Sequence, residues 1–205
     1  LHYGTVPHVD TRSWRFQVSG AVEQPFELGW EELLALPRQE TTCDIHCVTR
    51  WSRYDNVFTG IPLAPILERA RPRAQAAYVL VHAEHGFTTN VPLDDLSRPA
   101  NLLALQHNGV DLDPEHGGPV RLVIPHLYFW KSAKWIRGLQ LRADDQPGFW
   151  ERLGYHNDAD PFQAGRDLGV RYVVDGNLRR VGRTLRVTMQ LLDVARETTA
   201  WAQQF

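Results

Sequence analysis

Residues 14–22, WRFQVSGAV, set Phe16 and Val18 between Arg15, Gln17 and Ser19, the alternation of a strand with one buried face. LGWEELLALP spaces Trp30, Leu33 and Leu34 as a helix does and stops at Pro37, which predicts a short helix. QETTCDIHCVTRW begins rich in strand formers and then loses its regularity. A proline-started helix is expected over Pro62–Ala70. AYVLVHA is a continuous apolar run, typical of a strand buried on both faces. GFTTNVPLDDL reads as a strand that turns into a short helix, and NLLALQHNG as a strand closed by the turn pair Asn108-Gly109. GGPVRLVIP is a strand behind a glycine pair, and AKWIRGLQLRA alternates from Trp135 onward. The sum is mixed α and β with irregular connections, not the regular βαβ alternation of a doubly wound sheet. No GxGxxG, P-loop or GxSxG motif occurs.

Beyond about residue 160 the pattern changes to a short helix followed by two long strands around Gly182. Leu185, Val187, Met189 and Leu191 alternate there with Arg186, Thr188 and Gln190. The expected division is therefore 1–160 and 161–205.

Composition narrows the functional classes. A length of 205 residues suits one domain, or one domain with a small addition. With 22 Lys and Arg against 24 Asp and Glu, the net charge of −2 argues against nucleic acid as a partner. No run is long and apolar enough to span a membrane. The chain starts at Leu1 without a secretory leader pattern. Its two cysteines, Cys43 and Cys47, are too few for a disulfide framework. They read as thiols of a reducing, cytoplasmic compartment.

Two segments hold candidate chemistry. In TTCDIHCVTRWS, Cys43, His46 and Cys47 form a possible zinc set, though Cys-x3-Cys departs from the usual structural spacing. Alternatively one thiolate binds a soft, redox-active metal held mainly by another group, with Arg50 and Arg53 keeping the sulfur deprotonated. The second segment, EHGGPVRLVIPHLYFWKSAKW, contains the only two lysines of the chain, Lys131 and Lys134, three residues apart between two tryptophans. Gly117 and Gly118 permit close backbone approach to a ligand. Arg121 enters a strand, where a buried cation needs an anion. Lys134 is expected at a phosphate-like anion, while Lys131 is expected at a solvated rim, adding only field.

DIHCVTRWS, GFTTNVPLDDL, HGGPVRLVIPHLYFWKSAKWIRGLQL and GFWERLGYHNDADP, in that order, resemble the sulfite-oxidase-type molybdopterin-binding domain, closest to its small bacterial members. The resemblance runs from Leu1 to about Pro161. It implies an α+β, mixed-sheet fold and an oxidoreductase that moves an oxygen atom to or from a small sulfite- or sulfoxide-like substrate. The implied cofactor is molybdenum bound to molybdopterin, a pyranopterin with a dithiolene. Cys47 falls on the family's metal-binding cysteine. His116, Arg121, Ser132, Ala133 and Lys134 fall on positions that hold the pterin and its phosphate. His2, Tyr3 and Thr89 (or its neighbour Thr88) are further cofactor contacts by the same implication.

The chain departs from the animal and plant enzymes in placing Leu1 where they carry an arginine, which weakens the case for an anion as small as sulfite. It also lacks their haem and dimerisation domains, so a monomer with a separate redox partner protein is expected. The alternative is a molybdopterin-fold binding or regulatory module without turnover. The tail, DLGVRYVVDGNLRRVGRTLRVTMQLLDVARETTAWAQQF, is similar to part of the module shared by TolB-like N-terminal regions and adenylate-cyclase-linked regulators, which implies a helix plus a β-hairpin.

Overall fold

The structure, a computed structural model, describes residues 4–47, 51–153, 171–181, 184–196 and 198–204. In chain order the first elements are β1 (Arg15–Gly20), β2 (Phe26–Gly29), α1 (Trp30–Leu34), β3 (Gln39–Cys47), β4 (Trp51–Pro62) and α2 (Leu63–Ala70). Then come β5 (Tyr78–Ala83), β6 (Thr88–Pro92), α3 (Leu93–Leu96), β7 (Leu102–His107), β8 (Val110–Asp111), β9 (Arg121–Val123) and β10 (Ile136–Arg142). The tail holds β11 (Tyr172–Val181), β12 (Thr184–Asp193) and β13 (Thr198–Gln204).

These strands make two five-stranded sheets and a separate three-stranded one. The first runs β2-β1-β10-β5-β6, in which β1 and β10 are parallel and the remaining pairs antiparallel. The second runs β3-β4-β7-β8, with β9 added on β7. Mixed sheets with a few short helices make this α+β, as the sequence predicts. The run at 77–83 is indeed a strand, but it sits between two antiparallel neighbours.

Local sequence explains the layers. Phe16 and Val18 of β1 point into the main core while Arg15 and Gln17 stay outside. In α2, Leu63, Ile66, Leu67 and Ala70 recur on one face, and the helix ends where Arg71 turns left-handed at φ 52°. Strand β7 is buried on both sides. Leu103 and Leu105 join the main core. Leu102 and Ala104 join a smaller cluster with Ile45, Phe58 and Val123, against which Cys43, Leu112 and Phe129 pack. That smaller cluster backs the candidate site.

Two features exceed the sequence reading. The stretch after Cys47 continues as the twelve-residue β4. In the tail, β11 and β12 form the expected hairpin, and β13 pairs with β12 as a third strand. The expected tail helix falls outside the described residues.

Candidate functional site

The site is built around β9 and the two loops that flank it. Before β9, the turn Pro114–His116 is capped by Asp113, whose carboxylate accepts from the His116 backbone N–H at 2.7 Å and from its Nδ1 at 2.8 Å. The hydrogen bond from the His116 side chain, and then that from its backbone N–H, hold the Asp113 carboxyl below its ordinary range. Gly117 follows at φ 102°. A Cβ there would lie 3.0 Å from the Cβ of Lys134 and 3.1 Å from that of Arg121, so both long side chains pack directly over its backbone.

Arg121 is almost entirely buried. Its Nη1 donates to the His116 carbonyl at 2.9 Å and its Nη2 to the Ser132 carbonyl at 2.8 Å. The guanidinium lies 4.3 Å from the centre of the Phe129 ring. None of these partners carries a negative charge, and burial alone pushes the group down to about 9. After β9, the Ser132 hydroxyl accepts from the Ile124 N–H at 2.9 Å, and the Ala133 carbonyl accepts from the Leu122 N–H at 2.8 Å. These bonds set the loop 132–134 against β9. Lys134 donates to the Glu115 carbonyl. Burial, and then the charge of Arg121, push its ammonium down to about 8.

A further member was not picked out from sequence. His107 stacks on Phe58 at 4.7 Å between ring centres, and Phe58 in turn meets Phe129 at 6.2 Å. The Asn56 amide donates from Nδ2 to the Cys43 and Arg53 carbonyls, which leaves its Oδ1 to accept from His107 Nε2 at 3.0 Å. That assigns the proton of a neutral His107 to Nε2 and leaves Nδ1 as an acceptor. Burial first, then the charges of Arg53, Arg121 and His116, hold this imidazole below its ordinary value. Alternation along NLLALQH misplaces His107 because Leu105 is an extra residue in β7. Gln106 pairs with Thr59, but Ala104 pairs with Gly60, so His107 shares a face with Ala104.

The sequence-predicted residues thus divide. His116, Arg121, Ser132, Ala133 and Lys134 come together around β9. Thr89 joins a neighbouring buried network instead, with its hydroxyl on Glu151 Oε1 at 3.4 Å. Cys47 ends β3 with its Cα opposite Trp51. Its side chain, and His2, Tyr3 and Arg50 entirely, lie outside the described residues. Lys131 corrects the expectation of a solvated rim: it is fully buried on a carboxylate. Trp135 is buried. The zinc alternative needs the Cys47 side chain, which lies outside the described residues. Burial pushes the Cys43 thiol up to about 12, away from the thiolate form, and among the described residues no three metal-ligating side chains cluster.

The donor set defines what would fit. Arg121 and Lys134 share one loop-lined place; among the described residues neither is in a salt bridge with a carboxylate, although the Asp113 and Glu115 charges act on Lys134 from nearby. Such a cluster fits a polyanionic group bearing phosphate oxygens.

Residues 3–150 match the model of the oxidoreductase molybdopterin binding domain, and the chain belongs to that family. It is a molybdopterin-dependent oxidoreductase of the sulfite oxidase superfamily. The oxidoreductase YuiH of Bacillus subtilis is 53% identical over 167 residues, covering 81% of this chain and 84% of that protein. The catalytic subunit of protein-methionine-sulfoxide reductase MsrP from Campylobacter jejuni is 25% identical over 174 residues, covering 74% of this chain and 58% of that one. Its counterpart from Gluconobacter oxydans is 29% identical over 171 residues, covering 72% and 54%. The chain therefore spans little more than half the length of these reductase subunits. The sulfane dehydrogenase SoxCD of Paracoccus pantotrophus shares the fold, with a TM-score of 0.66 and 17% identity over 95% of this chain and 57% of that one.

The cofactor this family uses, a molybdenum–pyranopterin, carries the phosphate that the Arg121–Lys134 cluster fits. One consequence is a pH dependence. In the cofactor-free fold the Lys134 ammonium is held below its ordinary value of 10.5, at about 8. The fold then bears the cost of the charged form in full below about 8. That cost is relieved as pH rises toward 10.5, where the unfolded chain binds more protons than the folded one. Anion affinity runs the opposite way, because the ammonium that attracts the anion is lost through the same window. Inorganic phosphate should therefore raise the melting temperature of cofactor-free protein more at about pH 7 than at about pH 9.5, and Lys134→Met should flatten the difference. An equal phosphate effect at both values would place the anion elsewhere.

Proposed function

We propose that this protein transfers an oxygen atom to or from a small sulfur-oxide substrate, with sulfoxide reduction as the leading reading, and exchanges electrons with a separate redox partner protein. The observation that carries the reading is the pair of cations packed over Gly117, with no salt bridge to a carboxylate among the described residues. The cofactor, when bound, supplies a metal able to accept an oxygen atom while losing two electrons, or to give one up while gaining two. Cys47 would ligate that metal through its thiolate. Arg121 and Lys134 would grip the phosphate, His116 would add a donor at the rim, and Ser132 and Ala133 would present the loop backbone. His2, Tyr3 and Thr89 are proposed as additional contacts. His107, with an open acceptor at Nδ1 on the face shared with Ala104, would stand on the same side of the sheet as Arg121, whose Cα partner is Ala104.

Sulfoxide reduction consumes two electrons and two protons and releases water, and sulfite oxidation runs with the opposite flow. The likeness to the two methionine-sulfoxide reductase subunits favours the first direction, as does Leu1 in place of an anion-binding arginine. The test is a paired assay on molybdenum-loaded protein, using a reduced viologen dye with methionine sulfoxide and ferricyanide with sulfite. Dye oxidation with the sulfoxide, exceeding ferricyanide reduction with sulfite, is the expected result. The reverse ratio would assign the protein to sulfite-type chemistry.

The proposed division is a 1–160 catalytic domain and a 161–205 addition of TolB-like kind. Two observations support it: β11, β12 and β13 form their own sheet, and the family match ends at residue 150. Among the described residues no helix is long and apolar enough to cross a membrane. A monomer working in the cytoplasm is the simplest form of this proposal.

A further inference from the structure

Lys131 lies three residues before Lys134, yet its ammonium points into the protein. The Nζ donates to the Asn90 carbonyl at 2.7 Å, to Asn90 Oδ1 at 3.0 Å and to Glu151 Oε1 at 2.6 Å. Three N–H donors thus meet three converging acceptors, a geometry a planar guanidinium fork does not match. The side chains of Lys131 and Glu151 are each 1% exposed.

Both partners are tied to the sheet edge at β6. The Asn90 amide donates to Asp145 at 2.6 Å, the Phe149 N–H donates to the Thr88 carbonyl at 2.8 Å, and the Phe87 and Phe149 rings lie 5.8 Å apart. A Cβ on Gly148 would fall 2.5 Å from Thr89 Cα, so only glycine lets this segment lie so close. Residues 145–153 are thereby strapped along β6, with Glu151 reaching past Thr89 to the lysine.

The other side of the same turn faces the cofactor loop. Phe129–Lys131 is a single 3-10 turn, and Phe129 carries the Arg121 guanidinium on its ring. The next residue, Ser132, accepts from Arg121 and caps Ile124, and the Ala133 N–H donates back to the Lys131 carbonyl at 3.1 Å. The turn is therefore fixed from inside by Lys131 and is followed directly by Ser132, which holds Arg121, and by Lys134. A buried ion pair is a weak source of stability, because desolvation consumes most of the Coulombic gain. Here Glu151 Oε2 is also buried without a hydrogen-bond partner among the described residues. Fixing geometry is what such a pair does well.

We infer that Lys131 and Glu151 form a positioning latch: the strap 145–153 holds the 129–134 turn in the shape that lets Arg121, Ser132 and Lys134 retain the cofactor. Neither latch residue touches the cofactor. The inference rests on the cofactor reading above, and its test separates the two. Holoprotein would be prepared as wild type, as Glu151→Gln and as the double variant Lys131→Met/Glu151→Met. Release of cofactor on dilution is followed by pterin fluorescence, and cofactor-free protein is melted by circular dichroism. Glu151→Gln should release cofactor about tenfold faster, the scale set by loss of a supporting residue behind a metal ligand. The double variant, free of buried charge, should melt at or above the wild-type temperature and still release about tenfold faster. Wild-type release restored together with melting in the double variant would reduce the pair to a structural contact and overturn the latch. So would unchanged release in Glu151→Gln. A wild-type protein that carries no pterin would overturn the cofactor reading itself, and the latch with it.

Discussion

Arg121→Met should leave the cofactor-free protein close to its wild-type stability while nearly emptying it of cofactor. The two effects have different physical origins. In the cofactor-free fold the guanidinium is buried on three carbonyls and an aromatic ring, with no carboxylate paired to it among the described residues. Replacing a buried charge by an apolar side chain of similar length is often neutral or stabilising by about 1–4 kcal/mol. The His116 and Ser132 carbonyls left without their donor oppose that gain by about 1–3 kcal/mol each. Methionine keeps a favourable thioether contact with Phe129. The balance is near zero. Cofactor retention has no such compensation. A charge-assisted hydrogen bond contributes about 1.5–3 kcal/mol, so one lost contact to phosphate costs at least about tenfold in affinity, and two compound it. Circular dichroism on the cofactor-free form and pterin fluorescence on the purified holoprotein measure the two sides. A large drop in melting temperature with normal pterin content would make Arg121 a structural residue.

Cys47→Ser should abolish turnover and leave the fold intact. The substitution exchanges one atom at the last residue of β3, where the backbone pairs with Trp51. Sulfur and oxygen differ little in size, so the exchange is expected to leave the backbone pairing in place. A serine hydroxyl stays protonated under conditions where a thiol gives a soft, anionic ligand. Dye-linked activity should fall to background, and any thiolate-to-metal absorption band should vanish, while the melting curve of the cofactor-free form overlays that of wild type. Activity retained in Cys47→Ser and lost in Cys43→Ser would transfer the ligand role. The burial that pushes Cys43 up to about 12 argues against that outcome.

The motifs around Arg121 and Lys134 were legible because their chemistry is local in sequence. A glycine pair, a charged strand residue and a short Ser-Ala-Lys loop all lie between residues 117 and 134, and the structure brings them together. The strands at 15–20, 78–83, 102–107 and 136–142 were legible from their apolar patterns. Long-range partners were not. Lys131 looks solvent-bound in sequence because its acceptors come from residues 90 and 151, on other elements. His107 was hidden by one extra residue in β7, which reverses the phase of alternation. Strand β4 was hidden by its polar content and by Asp55, which sits at φ 53° within it. The third tail strand was missed because TTAWAQQ has a weak alternation that only pairing with β12 makes a strand.

The most direct test of the central claim, that this chain binds a molybdenum–pterin through the β9 loops and Cys47, is elemental analysis of protein produced in a cofactor-synthesising host supplied with molybdate, with pterin quantified in parallel. The account predicts about one molybdenum and about one pterin per chain, both lost in Arg121→Met. A folded protein with neither, or with stoichiometric zinc in their place, would contradict it.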